Sequence, residues 1–258
     1  MIPELAKLLE KSIHQSLEDR VAVSFSGGVD SSLVAHVASR ICEVELFSCG
    51  TQASEDIMYA EQVARLLNLP LHKLIMDEYE ILDIYHKCYK TVPNDLLKVE
   101  LLVPVYKAAE EARKHDHRVL LFGSASEELF VGYERYYTYA EEGKRLDDIL
   151  REEFTTLRSR EISWIKKICY KLGVEARFPF YNQELADFVF NVPLEIRMEN
   201  RELKKGILRE AAKMLGLPDL AVKRKKRAMQ YGSGVHKIIL KHAEELNKVD
   251  AVPPWKKG

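Results

Sequence analysis

The sequence predicts an α/β fold: a parallel sheet with helices on both faces, followed by a mostly helical C-terminal part. Three observations carry that prediction. Short apolar runs rich in β-branched residues alternate with helical stretches of roughly 10 to 15 residues through the first half. The first of these runs, Val21 to Phe25, passes straight into Ser26-Gly27-Gly28 and then into helical apolar spacing. From about Tyr133 the alternation stops, and helical segments follow one another to the end.

Taken in order, residues 3–17 place Leu5, Leu8, Leu9, Ile13 and Leu17 on one helical stripe. Val21 to Phe25 reads as the first strand. Val34, Val37, Ala38 and Ile41 repeat at i, i+3, i+4, i+7, so the next helix runs to about Arg40. Val44 to Cys49 is the second strand, ending at Gly50. Ser54-Glu55-Asp56 opens a helix whose inward positions are Ile57, Ala60, Val63, Ala64 and Leu67. Leu71 to Met76 gives a third strand and Val119 to Phe122 a fourth. Between Asn94 and His115 a long helical pattern contains Pro104, which predicts a break or kink. Beyond Tyr133, helices read at 146–157, 162–172, 185–190, 203–215 and 235–246. No Gly/Ser- or Pro-rich linker separates the halves, so the reading is a single domain over 1–258. Its α/β part covers about 15–132 and its helical part about 133–250.

In such sheets ligands bind at the carboxyl ends of the strands. The tips are Ser24 to Ser32, Cys49 to Asp56 and the turn Gly123-Ser124-Ala125-Ser126-Glu127-Glu128. At the first tip, two glycines permit positive φ and leave the backbone bare, and free N–H groups at a helix start attract anions. Ser26, Ser31 and Ser32 add hydroxyls to that nest, while Asp30 makes sense beside phosphates chiefly with a cation between them. The lysine and spacing of the common Gly-x-x-x-x-Gly-Lys-Ser/Thr loop are missing. The stretch instead resembles the pyrophosphate-binding loop, Ser-Gly-Gly-x-Asp-Ser, of the ATP pyrophosphatases.

Composition narrows the rest. With 258 residues, 47% hydrophobic, the chain can bury one large core or two modest ones. A net charge of −1 points to neither nucleic acid nor an anionic membrane. No apolar run approaches a bilayer span, and Met1-Ile2-Pro3-Glu4-Leu5 does not read as a signal peptide, so the cytoplasm is expected. The four cysteines, Cys42, Cys49, Cys88 and Cys169, form no Cys-x-x-Cys pair and are expected as reduced thiols, Cys42 and Cys88 as buried small hydrophobes. The eight histidines show no zinc spacing, and His115-x-His117 is expected in a surface turn. Core packing is expected of the tyrosines between Tyr133 and Tyr139.

Further stretches extend the resemblance to a family. Gly173-Val174-Glu175-Ala176-Arg177-Phe178-Pro179-Phe180 is similar to the Gly-x-Glu-x-Arg-x-Pro-Phe segment of asparagine synthetase synthase domains. Lys204-Lys205-Gly206-Ile207-Leu208-Arg209 resembles their Lys-x-x-Leu-Arg segment, Phe130-Val131-Gly132-Tyr133 their Phe-Gly-Gly-Tyr, and Lys223 to Arg227 their Arg-x-Lys region. The resemblance covers about residues 15 to 240 and implies an adenine nucleotide alpha hydrolase-like fold. It also implies an ATP-dependent, AMP-forming ligation. A substrate carboxylate attacks the α-phosphorus of ATP, pyrophosphate leaves, and ammonia or an amine displaces AMP from the acyl-adenylate. By position, Ser26, Gly27, Gly28, Ser31 and Ser32 would cradle pyrophosphate. The backbone near Ser24, Cys49 and Gly123 would hold adenosine. Asp30 and Glu127 would hold Mg²⁺, and Lys226 would stabilise charge on the α-phosphate. Lys223 to Arg227 also reads as a solvated basic loop or a weak nucleic-acid patch.

The chain departs from the family in three places. Ser124 replaces a glutamate that lies near the attacking amine there. Glu100 falls where an arginine is common, which would disfavour aspartate as the acid. The chain begins Met1-Ile2, whereas glutamine-hydrolysing members place a nucleophilic cysteine after the initiator, so ammonia is expected from solution or from a separate glutaminase subunit. The residues leave open the acid activated, the oligomeric state and two alternatives. One is a tRNA-modifying or sulfur-transferring enzyme sharing only the loop; the other is a non-catalytic ATP- or AMP-binding module.

Overall fold

Five parallel strands, β1 (Arg20–Ser24), β2 (Glu43–Gly50), β3 (Leu71–Ile75), β4 (Val119–Leu121) and β5 (Glu175–Arg177), line up in the order β3-β2-β1-β4-β5. The computed structural model describes residues 1–225 and 232–246. Register is set by the period-2 alternation of the central strands: Val21 faces one layer of helices and Ala22 the other, with Val21 opposite Val44 and Ala22 opposite Leu120.

One layer packs α1 (Ile2–His14), α2 (Val29–Ala38) and α3 (Glu55–Leu67) against Val21, Val23, Leu46 and Leu121. The opposite layer packs α4 (Glu78–Thr91), α5 (Leu96–Glu100) and α6 (Leu102–Lys114) against Ala22, Phe47 and Leu120. Helix α3 starts where expected because the Ser54 hydroxyl accepts a hydrogen bond from Ile57 N at 3.2 Å. It ends at Asn68, left-handed at φ +54°. The break expected from Pro104 falls at Leu101; the proline itself lies in the first turn of α6, where its missing N–H leaves no helix bond unmade. Helix α4 and strand β5 are additions to the sequence reading.

Beyond β4 come α7 (Ser126–Leu129), α8 (Glu134–Glu141), α9 (Leu146–Thr156), α10 (Glu161–Lys171), α11 (Gln183–Phe190), α12 (Leu194–Met198), α13 (Gly206–Met214), α14 (Asp219–Val222) and α15 (Val235–Lys241). The helix expected from Leu203 begins only at Gly206, because Lys204 and Lys205 are both left-handed at φ +57°. The pattern expected over 235–246 divides at His242. Among the described residues no helix is long and apolar enough to cross a membrane.

The chain leaves β1 toward β2 and β3 on one side and returns to β4 and β5 on the other. The loops after β1 and β4 therefore diverge at the carboxyl end of the sheet and open a crevice there.

Candidate active site

The loop after β1 is knitted together by its own hydroxyls. Ser26 N donates to Ser31 Oγ at 3.3 Å, Gly28 N to Ser26 Oγ at 3.3 Å, and Ser31 Oγ to Gly28 O at 3.4 Å. Gly27 takes φ +73° and packs so tightly on α3 that a Cβ there would lie 3.0 Å from Ala60 Cα. The cleft this loop faces has a volume of about 390 Å³, within the range of small-molecule sites. Ser24, Ser26, Gly28, Asp30, Ser31, Cys49, Gly123 and Glu127 line it. Two expected loop residues do not. Gly27 shapes the turn from behind, and Ser32 is fully buried in α2 with no hydrogen-bond partner for its hydroxyl among the described residues.

Lys205 organises the centre. Its Nζ, 1% exposed, donates to Asp30 Oδ1 and Oδ2 at 2.8 Å, to Glu127 Oε1 at 2.7 Å and to Ser126 Oγ at 2.9 Å. One ammonium thus joins the loop after β1 to the turn after β4. The backbone around it is held in uncommon conformations, with Ala125, Val131, Lys204 and Lys205 all at positive φ. Such strain persists where the surroundings over-determine it, as at functional sites. Gly132 closes on the same group: a Cβ there would lie 1.8 Å from Glu127 Oε2 and 2.5 Å from Lys205 Cε.

Two arginines tie the later segments to this centre. Arg209 is buried and donates to Lys204 O (2.7 Å), Leu203 O (2.6 Å), Arg224 O (3.0 Å) and Val222 O. Burial lowers its pKa from the usual guanidinium value. Arg224 donates to Asp56 and to Ser26 O, and its guanidinium stacks 4.3 Å from the Tyr59 ring centroid. Arg224 and Lys225 line the cleft. Lys226, the expected transition-state cation, lies outside the described residues. The segment Gly173 to Phe180 is scaffold: Arg177 clasps Glu175, Glu18 and the carbonyls of Ser16 and Leu17, while Phe178 stacks on Phe122 at 5.5 Å.

The far wall is acidic. Ser124 Oγ donates to Glu161 Oε1 at 2.9 Å, so a carboxylate from α10 stands beside the serine. Glu128 is 4% exposed, and burial, reinforced by the charges of Glu161 and Glu127, raises its pKa to about 8. Tyr133 also lines the cleft, and Arg135 stacks over its ring at 4.3 Å while donating to Glu153 at 2.6 Å. Tyr136 and Tyr137 are core residues, as expected.

Three expectations are corrected. Glu100 does not line the cleft; it is buried behind it and paired with His236 Nδ1 at 2.9 Å. His117 is fully buried, so the His115-x-His117 pair is not wholly in a surface turn. Cys42 is only half-buried. Burial pushes all four cysteine thiols up, which opposes the sulfur-transfer alternative. Lys205, Arg209 and Arg224 carried no assigned role in the sequence reading, although each stands in a stretch quoted for the resemblance.

A hydroxyl-rich Gly-Gly loop at the switch point of a parallel sheet, faced by two carboxylates and a run of cations, defines a protein of the nucleotide-binding α/β class. Within that class the chain belongs to the asparagine synthase family, whose model matches residues 4–168 and 140–252. It is 34% identical over 261 aligned positions to "Putative asparagine synthetase [glutamine-hydrolyzing] 1" of Methanocaldococcus jannaschii, covering 88% of this chain and 48% of that protein. It is 26% identical to asparagine synthetase B [glutamine-hydrolyzing] of Escherichia coli K12, covering 90% and 45%. The chain spans about half the length of these curated relatives. Among solved structures, the NH3-dependent NAD synthetase of Campylobacter jejuni aligns with a TM-score of 0.45 at 16% identity, over 96% of this chain and 86% of that one.

Proposed function

We propose that the chain is an ATP-dependent, amide-forming synthetase that activates a carboxylate as an acyl-adenylate. The observation that carries this reading is the convergence of Asp30 and Glu127 on one buried ammonium beside the Ser-Gly-Gly loop. Phosphates would lie on the N–H groups and hydroxyls of Ser26, Gly28 and Ser31, with adenosine between the strand ends at Ser24, Cys49 and Gly123. Mg²⁺ fits the donor set, since Asp30 and Glu127 offer hard carboxylate oxygens on the same wall as the loop. When bound, it would supply electrostatic neutralisation of the departing pyrophosphate.

This chain's residues would do the rest. Lys205 holds the two carboxylates together, and Arg224 anchors the basic segment to the loop carbonyl of Ser26. Lys226, two residues on, is the proposed cation opposing charge on the α-phosphate. The substrate oxygen bonds to the α-phosphorus as pyrophosphate leaves. The amine then bonds to the acyl carbon as AMP leaves, and its surplus proton passes to Glu161 or Glu128. Glu161, held by Ser124, supports the synthetase reading because it returns a carboxylate to the neighbourhood where the family's glutamate is missing. Arg135 at the rim is the proposed partner of a substrate carboxylate. The nitrogen donor would be ammonia or an amine, free or delivered by a glutaminase.

ATP–pyrophosphate exchange with Mg²⁺ over a panel of carboxylates, aspartate included, with and without ammonia, tests the reading. Exchange that requires one acid, and amide formation once ammonia is added, is the expected result. ATP or AMP binding without exchange for any acid would replace the synthetase with a non-catalytic nucleotide-binding module.

A further inference from the structure

At the end of the sheet away from the cleft, three imidazoles gather at one carboxylate oxygen. Glu45 lies near the start of β2, opposite Ala22, and His72 near the start of β3, opposite Phe47. His115 and His117 come from the turn between α6 and β4. Glu45 Oε2 is 2.6 Å from His72 Nε2, 3.5 Å from His117 Nε2 and 3.9 Å from His115 Nδ1. Arg20 occupies the other oxygen, Oε1, at 3.1 Å, so Oε2 alone is turned to the histidines. The sequence gives no metal spacing because the four residues come from three separate segments, which only the sheet brings together.

Two further features set this group apart from an ordinary surface cluster. The donor atoms of Glu45, His72 and His115 all lie within 4.8 Å of one another. His117 is fully buried, yet neither of its ring nitrogens makes a hydrogen bond. A tetrahedral ion with arms of about 2.0–2.1 Å spaces its ligand atoms roughly 3.3 Å apart, and the contacts at Glu45 Oε2 bracket that spacing. The rings are also braced, His72 stacking on Phe47 at 4.6 Å and lying tilted against His115 at 4.1 Å between centroids.

We infer that Glu45, His72 and His115, with His117 beside them, form a binding site for a zinc-class divalent cation that ties β2, β3 and the α6–β4 turn together. Two imidazoles and one carboxylate, with a third imidazole 3.5 Å from Glu45 Oε2, suit a borderline ion such as Zn²⁺, whereas Mg²⁺ and Ca²⁺ select oxygen donors. Because the site bridges three segments, an ion there would act on stability and would touch none of the cleft residues.

The test is calorimetric titration of the chelator-stripped full chain with ZnCl₂ at pH 7.5, with thermal unfolding alongside. We expect one Zn²⁺ per chain at this site and a higher Tm with zinc. His115→Ala, at the most exposed ligand, and His72→Ala should each weaken binding at least about ten-fold and remove the zinc-dependent rise in Tm. His14→Ala, which is not a member of the cluster, should leave both unchanged. Circular dichroism of the zinc-free variants is the check that the fold is retained. Absence of zinc binding in the wild type, or binding and stabilisation that survive both His72→Ala and His115→Ala, would overturn the site.

Discussion

Glu128 is a carboxyl group nearly without solvent, next to Glu127 on its own turn and to Glu161 from α10. Burial and those two charges favour its neutral form and carry its pKa to about 8, well above an exposed glutamate. The stability consequence has a definite sign. A group whose folded pKa is raised contributes fully below its unfolded value, and that contribution is lost as pH rises toward the folded one. Relative to an uncharged isostere, Glu128 therefore destabilises the chain progressively between about pH 4.5 and about pH 8, and by a constant amount above. Thermal unfolding of wild type and Glu128→Gln across pH 4 to 9.5 should show the variant gaining over that window. Parallel curves would mean that Glu128 ionises as an exposed carboxyl does. Under the synthetase reading the same proton has a use, since a group titrating near 8 can accept the proton that an attacking amine sheds.

The turn that carries Glu127 and Glu128 shows why some elements are legible in sequence and others are not. Strands β1 and β2 announce themselves as short apolar runs, buried on both faces, and α2 and α3 by apolar positions at 3.6 spacing. Helix α4 has the same pattern, Ile81, Ile84, Tyr85 and Cys88, together with an Asp77 cap, and is legible in the sequence on the same terms. Strand β5 has three residues, of which only Ala176 is buried, so no period exists to find. The site divides in the same way. The loop residues and Asp30 follow from local spacing, but the meeting of Asp30, Glu127 and Lys205 joins positions as much as 175 residues apart and becomes visible only in the fold. Gly132 belongs to that second kind. Its backbone is not left-handed, so alanine is tolerated there conformationally, yet the added methyl would overlap Glu127 Oε2 and Lys205 Cε. Overpacking of this kind costs about 1–3 kcal/mol, or roughly 2–12 °C in Tm for a chain of this size. Gly132→Ala should show a fall in Tm within that range by calorimetry; an unchanged Tm would mean that the pocket around Glu127 yields freely.

Across the whole molecule, the cleft is assembled from segments far apart in the chain. The loop after β1 and the turn after β4 come from the α/β half, while Lys205, Arg209 and Arg224 arrive from segments that follow five intervening helices, α8 to α12. Arg224 is the outermost of these ties, 9% exposed, bonded both to the loop carbonyl of Ser26 and to Asp56 at the start of α3. A phosphate ligand on the Ser-Gly-Gly loop would therefore bind to an assembled wall, and its binding energy would couple to the seating of Arg224. At one hundred times its Kd, ATP adds about 2.7 kcal/mol, roughly 5–10 °C in Tm for a domain of this size. Arg224→Ala should lower the Tm of the free chain and also shrink the ATP-induced rise to less than half of the wild-type value at the same ATP and Mg²⁺ concentrations. A variant whose free Tm falls while its ATP-induced rise stays intact would show that Arg224 serves the fold alone and that the loop binds phosphate without the basic segment. An ATP-induced rise missing from both proteins would remove the nucleotide from the cleft altogether.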